Sequence, residues 1–199
     1  MSKVAINKIT FYLFMVIAFT LQTGCSEIVS DDETKFYALS PADVATASGD
    51  SKLKLGIGPV KISRMISRPQ LVVRTEQHQI NVLEQHQWGG SLKEEVAQII
   101  IDNLSANLGT EQVEHFPWKK AFKPDYQVRV RIERMDGIPG GEVALKARWW
   151  LRKGNAPTDQ LAEFSTYRVK TKDKSYPAYV AALSKTLEQL STEIAKSIK

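Results

Sequence analysis

Between Leu55 and Thr75 the chain runs LGIGPVKISRMISRPQLVVRT, two short apolar stretches separated by a basic excursion, and this order leaves few ways to fold. Leu53, Leu55 and Ile57 alternate with Lys52, Lys54 and Gly56, the period-two pattern of a strand with one face buried. Gly58-Pro59 interrupts the alternation and Val60 and Ile62 resume it, which suits a strand carrying an irregularity. Arg64 to Pro69 is too short for a helix of its own, and Pro69 disfavours helical backbone at Arg68. A loop presenting Arg64, Met65, Ile66 and Arg68 is expected, with the next strand beginning at Leu71.

Further along, the pattern changes period. Lys35 to Leu39 reads as a first strand, followed by a loop from Ser40 to Ser51 without an apolar face. Gln79 to Gln85 is expected to pair with Leu71 to Arg74 as a hairpin. Ser91 and Glu94 have capping-box spacing, and Leu92, Val96, Ile99, Ile100, Leu104 and Leu108 form one apolar stripe, so a helix runs from Leu92 to about Leu108 with Gly109 at its C-cap. Gln112 to Phe116 is a short strand candidate, and Pro117 to Pro124 a turn with exposed aromatics. Tyr126 to Glu133, Glu142 to Arg152 and Leu161 to Lys170 alternate as an antiparallel meander. Ser175-Tyr176-Pro177 opens a last helix with Val180, Leu183, Leu187, Leu190, Ile194 and Ile198 on one face, to cover a sheet or, alternatively, to meet a partner helix. The expected class is α+β: a largely antiparallel sheet with two amphipathic helices packed on one face.

The first 24 residues have another character. Lys3 and Lys8 precede an almost wholly apolar run from Ile9 to Leu21, shorter than the roughly 20 residues of a spanning helix, and Thr23-Gly24-Cys25 follows. This layout is similar to a bacterial lipobox, with Gln22 standing three residues before the cysteine where Leu is usual. Cys25 is the single cysteine, so no intrachain disulfide is possible, and lipid attachment is its expected role. The reading divides the chain into a signal segment (1–24), a polar lipidated tether (25–34) and one folded domain (35–199). Losing Lys3 and Lys8 lowers the net charge from +5 to +3, too mild to name a partner.

No nucleotide, metalloprotease, nucleophile-elbow or calcium motif occurs, so neither a catalytic residue, a metal ligand nor a cofactor is assigned. His78, His86 and His115 read as solvated histidines near strand ends. Arg129, Arg131, Lys146, Arg148, Arg152 and Arg168 fall on polar faces of adjacent strands, either as a basic face or simply paired with Glu133 and Glu142. Trp149 belongs to the core, whereas Trp88, Trp118 and Trp150 are expected at the surface, where aromatics beside arginines favour a protein interface.

The order of these pieces, namely Cys25, Phe36-Tyr37-Ala38-Leu39, Gly58-Pro59-Val60, Arg68-Pro69-Gln70-Leu71, Trp88 before a helix and a long final helix, resembles the PqiC (YmbA-like) auxiliary lipoproteins of ABC-type transporters. The resemblance implies a non-catalytic lipoprotein of the outer membrane's periplasmic leaflet. It also implies partners: an inner-membrane MCE-domain protein with its permease and ATPase, the outer-membrane lipid through acylated Cys25, and other copies in a ring, but no nucleic acid. Partner binding is expected at Arg64, Met65, Ile66, Arg68 and Trp88. A structural or assembly lipoprotein without a transport role is the alternative, and a periplasmic hydrolase a more remote one.

Overall fold

The structure, a computed structural model, describes residues 33–43 and 52–198. The signal segment, Cys25 and most of the tether lie outside the described residues, as does the greater part of the Ser40 to Ser51 loop. The elements in order are β1 (Lys35–Tyr37), β2 (Leu55–Ile62), β3 (Gln70–Glu76), β4 (Gln79–Trp88), α1 (Leu92–Leu108), β5 (Val113–His115), β6 (Tyr126–Gly137), β7 (Glu142–Lys153), β8 (Leu161–Lys170) and α2 (Tyr176–Ser197).

The strands form two sheets, ordered β1-β4-β3 and β5-β2-β6-β7-β8. The fold is α+β, as the periodicities predict, and both sheets are mixed. β3–β4, β6–β7 and β7–β8 are antiparallel, whereas β1–β4, β2–β5 and β2–β6 are parallel. Connectivity explains the mixture: β2 hands the chain to the other sheet, and α1 returns it as a crossover, the connection that parallel pairing requires. The irregularity expected at Gly58-Pro59 is a register shift between Ile57 and Val60, and the buried Gln127 side chain donates to the Gly58 carbonyl there (2.8 Å).

Both helices pack on the same face of the five-stranded sheet, closing a core around Ile57, Val128, Val130, Trp149 and Leu151. The stripe Val180, Leu183, Leu187, Leu190 and Ile194 of α2 is buried, as is Ile198 at its C-cap. Ser175 caps α2 by accepting from the Ala178 amide at 3.3 Å. The α1 boundaries match the sequence reading, with Gly109 left-handed at the C-cap, but the capping box does not form. Ser91 makes no side-chain cap bond, and the Glu94 carboxylate turns to Lys93 Nζ at 3.3 Å. On the sheet side, Trp149 Nε1 donates to Ser165 Oγ (3.1 Å), and Ser165 and Tyr167 both donate to Glu193 of α2.

One polar junction joins all the layers. Asp136, fully buried near the end of β6, accepts from Arg74 Nε of β3 at 2.8 Å, from a second Arg74 nitrogen at 3.1 Å and from Arg134 Nε at 2.6 Å. Beside it the Tyr179 hydroxyl of α2 donates to the Val72 carbonyl (2.9 Å) and accepts from the Gly137 amide (3.2 Å). Burial and the Asp136 carboxylate push the Tyr179 hydroxyl far above the ordinary tyrosine range, so it stays a donor. The alternation read from sequence ends at Glu133; in the structure β6 runs on past Asp136 through Gly137.

His86 departs from the expected solvated histidine. Tyr37 Oη lies 2.7 Å from its Nδ1, and the Tyr176 ring packs on it with centroids 4.1 Å apart, tying β1, β4 and the start of α2 together. Burial, and secondarily the charge of Lys35, lower its pKa from the ordinary 6.5.

Two outcomes follow. Tyr179→Phe removes a buried hydroxyl that satisfies two backbone groups and should lower stability by about 1–3 kcal/mol, read as an earlier urea midpoint; an unchanged midpoint would remove the junction's importance. For His86, the folded pKa lies below the unfolded one, so its contribution is fully present above about pH 6.5 and is lost as pH falls through the folded value. The stability difference between the native chain and His86→Gln should therefore shrink from pH 7.5 to about pH 5.5. A difference independent of pH in paired urea titrations would contradict this.

Candidate functional site

The basic excursion at Ser63 to Pro69 carries the chain from the five-stranded to the three-stranded sheet, and its backbone is fixed at both ends. The Ser63 carbonyl accepts from the Ile66 and Ser67 amides (3.2 and 3.1 Å), and Ser63 Oγ accepts from the Met65 amide (3.3 Å). At the far end the Trp88 amide donates to the Pro69 carbonyl at 2.7 Å. Ile66, at 3% exposure, anchors the loop in the core.

The five residues expected to bind a partner therefore separate. Arg64 and Arg68 are exposed and Met65 is half-buried, all on the loop. Ile66 and Trp88 are core residues, at 3% and 6% exposure, which corrects the expectation that they face outward. The reason is the crossover itself: a segment leaving one sheet for another needs apolar side chains pointing inward to hold it, and Ile66 and Trp88 fill that gap. Ser67, Arg68 and Pro69 form one wall of a groove of about 330 Å³ whose other wall is Gly90 to Lys93 at the start of α1. Arg68 and Lys93 bring cations to the groove, Lys93 being paired with Glu94, and the start of α1 also carries Glu95 in its first turn.

A second surface lies on the face of the five-stranded sheet away from the helices. The basic residues read from the alternation of β6, β7 and β8 do share this face. Arg148 Nε pairs with Glu133 and Arg168 with Glu142, each at 2.7 Å, and Arg129 pairs with Asp159. Arg129 and Arg131 flank the Trp150 ring at 5.4 and 5.8 Å from its centroid, and Arg148 lies over Phe164 at 5.3 Å. Both readings of the face hold in part: it is basic, and several of its cations are paired.

Trp118 and Trp150 are half-buried rather than fully exposed. Trp150 is covered by its two arginines. Trp118 lies on β2 where Gly56 lacks a side chain, since a Cβ there would stand 2.6 Å from the indole, and Phe116 and Phe122 meet it edge-on. Another concavity, about 520 Å³, runs between Phe36 to Asp43 and one side of α2, with Phe36 67% exposed at its rim. Among the described residues no group of three or more His, Cys, Asp or Glu side chains is placed to hold a metal ion, and no helix is long and apolar enough to cross a membrane.

Sequence reasoning missed the Asp136 and Tyr179 junction and the role of Gly56, because each depends on elements far apart in the chain. The alternation around Trp150, by contrast, was sufficient to place it among arginines.

Comparison with known proteins adds to this geometry. No curated protein matches the sequence. Among solved structures, an uncharacterized protein superposes with a TM-score of 0.69 at 19% identity, covering 84% of this chain and 99% of that one. Protein XCC0632 from Xanthomonas campestris, of family DUF330, superposes with a TM-score of 0.67 at 14% identity, covering 81% and 93%. At these identities the two structures share the fold. The sequence itself matches the ABC-type transport auxiliary lipoprotein component family over residues 37–195, and the chain belongs to that family.

Proposed function

We propose that this chain is the non-catalytic, lipid-anchored subunit of an MCE-type intermembrane lipid transport system. Acylated Cys25 holds it in the periplasmic leaflet of the outer membrane, and the Arg64–Pro69 loop docks on the periplasmic end of an inner-membrane MCE-domain protein that works with a permease and an ATPase. Family membership supports the transport part of this reading. The observation that carries the docking part is the loop: two exposed arginines and a half-buried methionine on a backbone pinned by Ile66 and Trp88, next to a groove lined by Lys93. A rigid loop loses little conformational freedom on binding, and its arginines suit carboxylates on the partner. Several copies around a tubular partner would present the loop repeatedly and multiply a weak contact.

Two acyl chains or more give stable membrane residence. Cys25→Ala should accordingly leave the outer-membrane fraction, and an unchanged distribution on fractionation would remove the anchor. For docking, the full-length acylated protein is purified in mild detergent and its companions identified by mass spectrometry. Recovery of an MCE subunit with permease and ATPase is expected, reduced about tenfold or more by Arg64→Glu with Arg68→Glu. Undiminished recovery with the double variant moves docking to another surface. Absence of an MCE subunit with the native protein, and recovery of envelope-assembly proteins instead, would replace the transport role by a structural one.

A further inference from the structure

We propose that the free edge of β8 is a docking strand for an extended, acidic segment of a partner protein. This surface is separate from the Arg64–Pro69 loop and its argument does not depend on the transport reading.

β8 ends the five-stranded sheet, and among the described residues nothing bonds to the backbone on its outer side. The other edges are ill suited to receive a strand. β1 and β5 have three residues each, and the pairing of β3 with β4 shifts register twice. β8 has ten residues, Leu161–Lys170, in unbroken register with β7 and without proline. Soluble proteins ordinarily guard such an edge with charges, a bulge, a proline or a covering element, and of these β8 has only the charges of Glu163, Arg168 and Lys170. Here Phe164 is instead 51% exposed. The strand is also held firmly, because Ser165 and Tyr167 are tied to Glu193 of α2 on its covered face, so an incoming segment meets an ordered template.

The side chains along this edge say which segment fits. On the open face Arg148 reaches across Phe164, Lys146 stands opposite Thr166, and Arg168 and Lys170 follow along β8. Lys146 and Lys170 have no acidic partner among the described residues. On this open face the acids Glu133 and Glu142 form pairs whose side chains are 36–57% exposed and therefore exchange readily with a competing carboxylate, while Glu163 of β8, also exposed, falls on the alternate face. A strand added to β8 turns every second side chain to this open face. Acids at those positions meet the cations, and apolar residues at the alternate positions meet Tyr167 and Val169. A lipid bilayer would satisfy the cations but leave the backbone edge unpaired, so the edge favours a polypeptide.

The probe is a labelled ten-residue peptide of alternating Glu and Val, blocked at both ends, added to the full-length protein in detergent. We expect saturable binding by anisotropy, with slowed amide exchange confined to Leu161–Lys170. Methylating alternate peptide nitrogens, which leaves the protein untouched, should weaken binding about tenfold or more through lost main-chain hydrogen bonds. Arg148→Glu with Arg168→Glu should weaken it comparably, while Arg148→Lys with Arg168→Lys retains it. No saturable binding, binding indifferent to N-methylation, or binding only to phosphatidylglycerol vesicles would each overturn the proposal.

Discussion

A buried carboxylate, Asp136, sets the relation between the two sheets. With no exposure of its own it holds Arg74 from the three-stranded sheet and Arg134 from its own strand, while Tyr179 bonds the backbone of both sheets from the helix layer. Burying one carboxylate between two guanidiniums is tolerable only because its oxygens are met by good donors; removing a partner would leave an uncompensated charge inside the domain. The hydrogen bond to Asp136 raises the pKa of Arg74, so the guanidinium keeps its proton and its role. The three-stranded sheet could otherwise slide on an apolar contact, which has no direction. The charged junction supplies one.

That fixed relation gives the surface its shape. The loop between β2 and β3 bridges the sheets, so its arginines keep their positions only while the sheets keep theirs. Ile66 and Trp88, expected outside and found inside, belong to this support: they are the reason Arg64 and Arg68 stand on an ordered turn. On the far face the same logic holds with different chemistry. The helices take one side of the five-stranded sheet and leave the other to arginines laid over Trp150 and Phe164. Cation and ring shield each other there, which keeps an aromatic sheet face in water without a covering element.

The two surfaces make different demands on a partner. The loop and its groove offer a compact set of cations beside a helix start, suited to a folded partner's acidic rim. The β8 edge offers main-chain groups and asks for an extended chain. The chain belongs to a family of auxiliary lipoprotein components of ABC-type transport, and an auxiliary component has use for both kinds of contact.

Local pattern determined much of this protein. Alternation of apolar and polar residues identified β2, β3, β6, β7 and β8, the stripe from Leu92 to Leu108 gave α1 with both its boundaries, and Ser175-Tyr176-Pro177 marked the start of α2. These succeed because strand and helix periods are properties of neighbouring residues. Arg64 and Arg68 were legible as a surface loop for the same reason. What tertiary structure decided is what neighbours cannot encode: that β2 and β3 lie in different sheets, that Asp136 meets Arg74 across 62 positions, and that Trp118 occupies the space left by Gly56. The Ser91 and Glu94 spacing gives the converse case, a local signal that the structure does not use: Ser91 makes no cap bond and Glu94 lies beside Lys93. Periodicity tells a side chain which face it is on; only the packing of distant elements tells it whether that face is covered, and Ile66 and Trp88 are buried because theirs is.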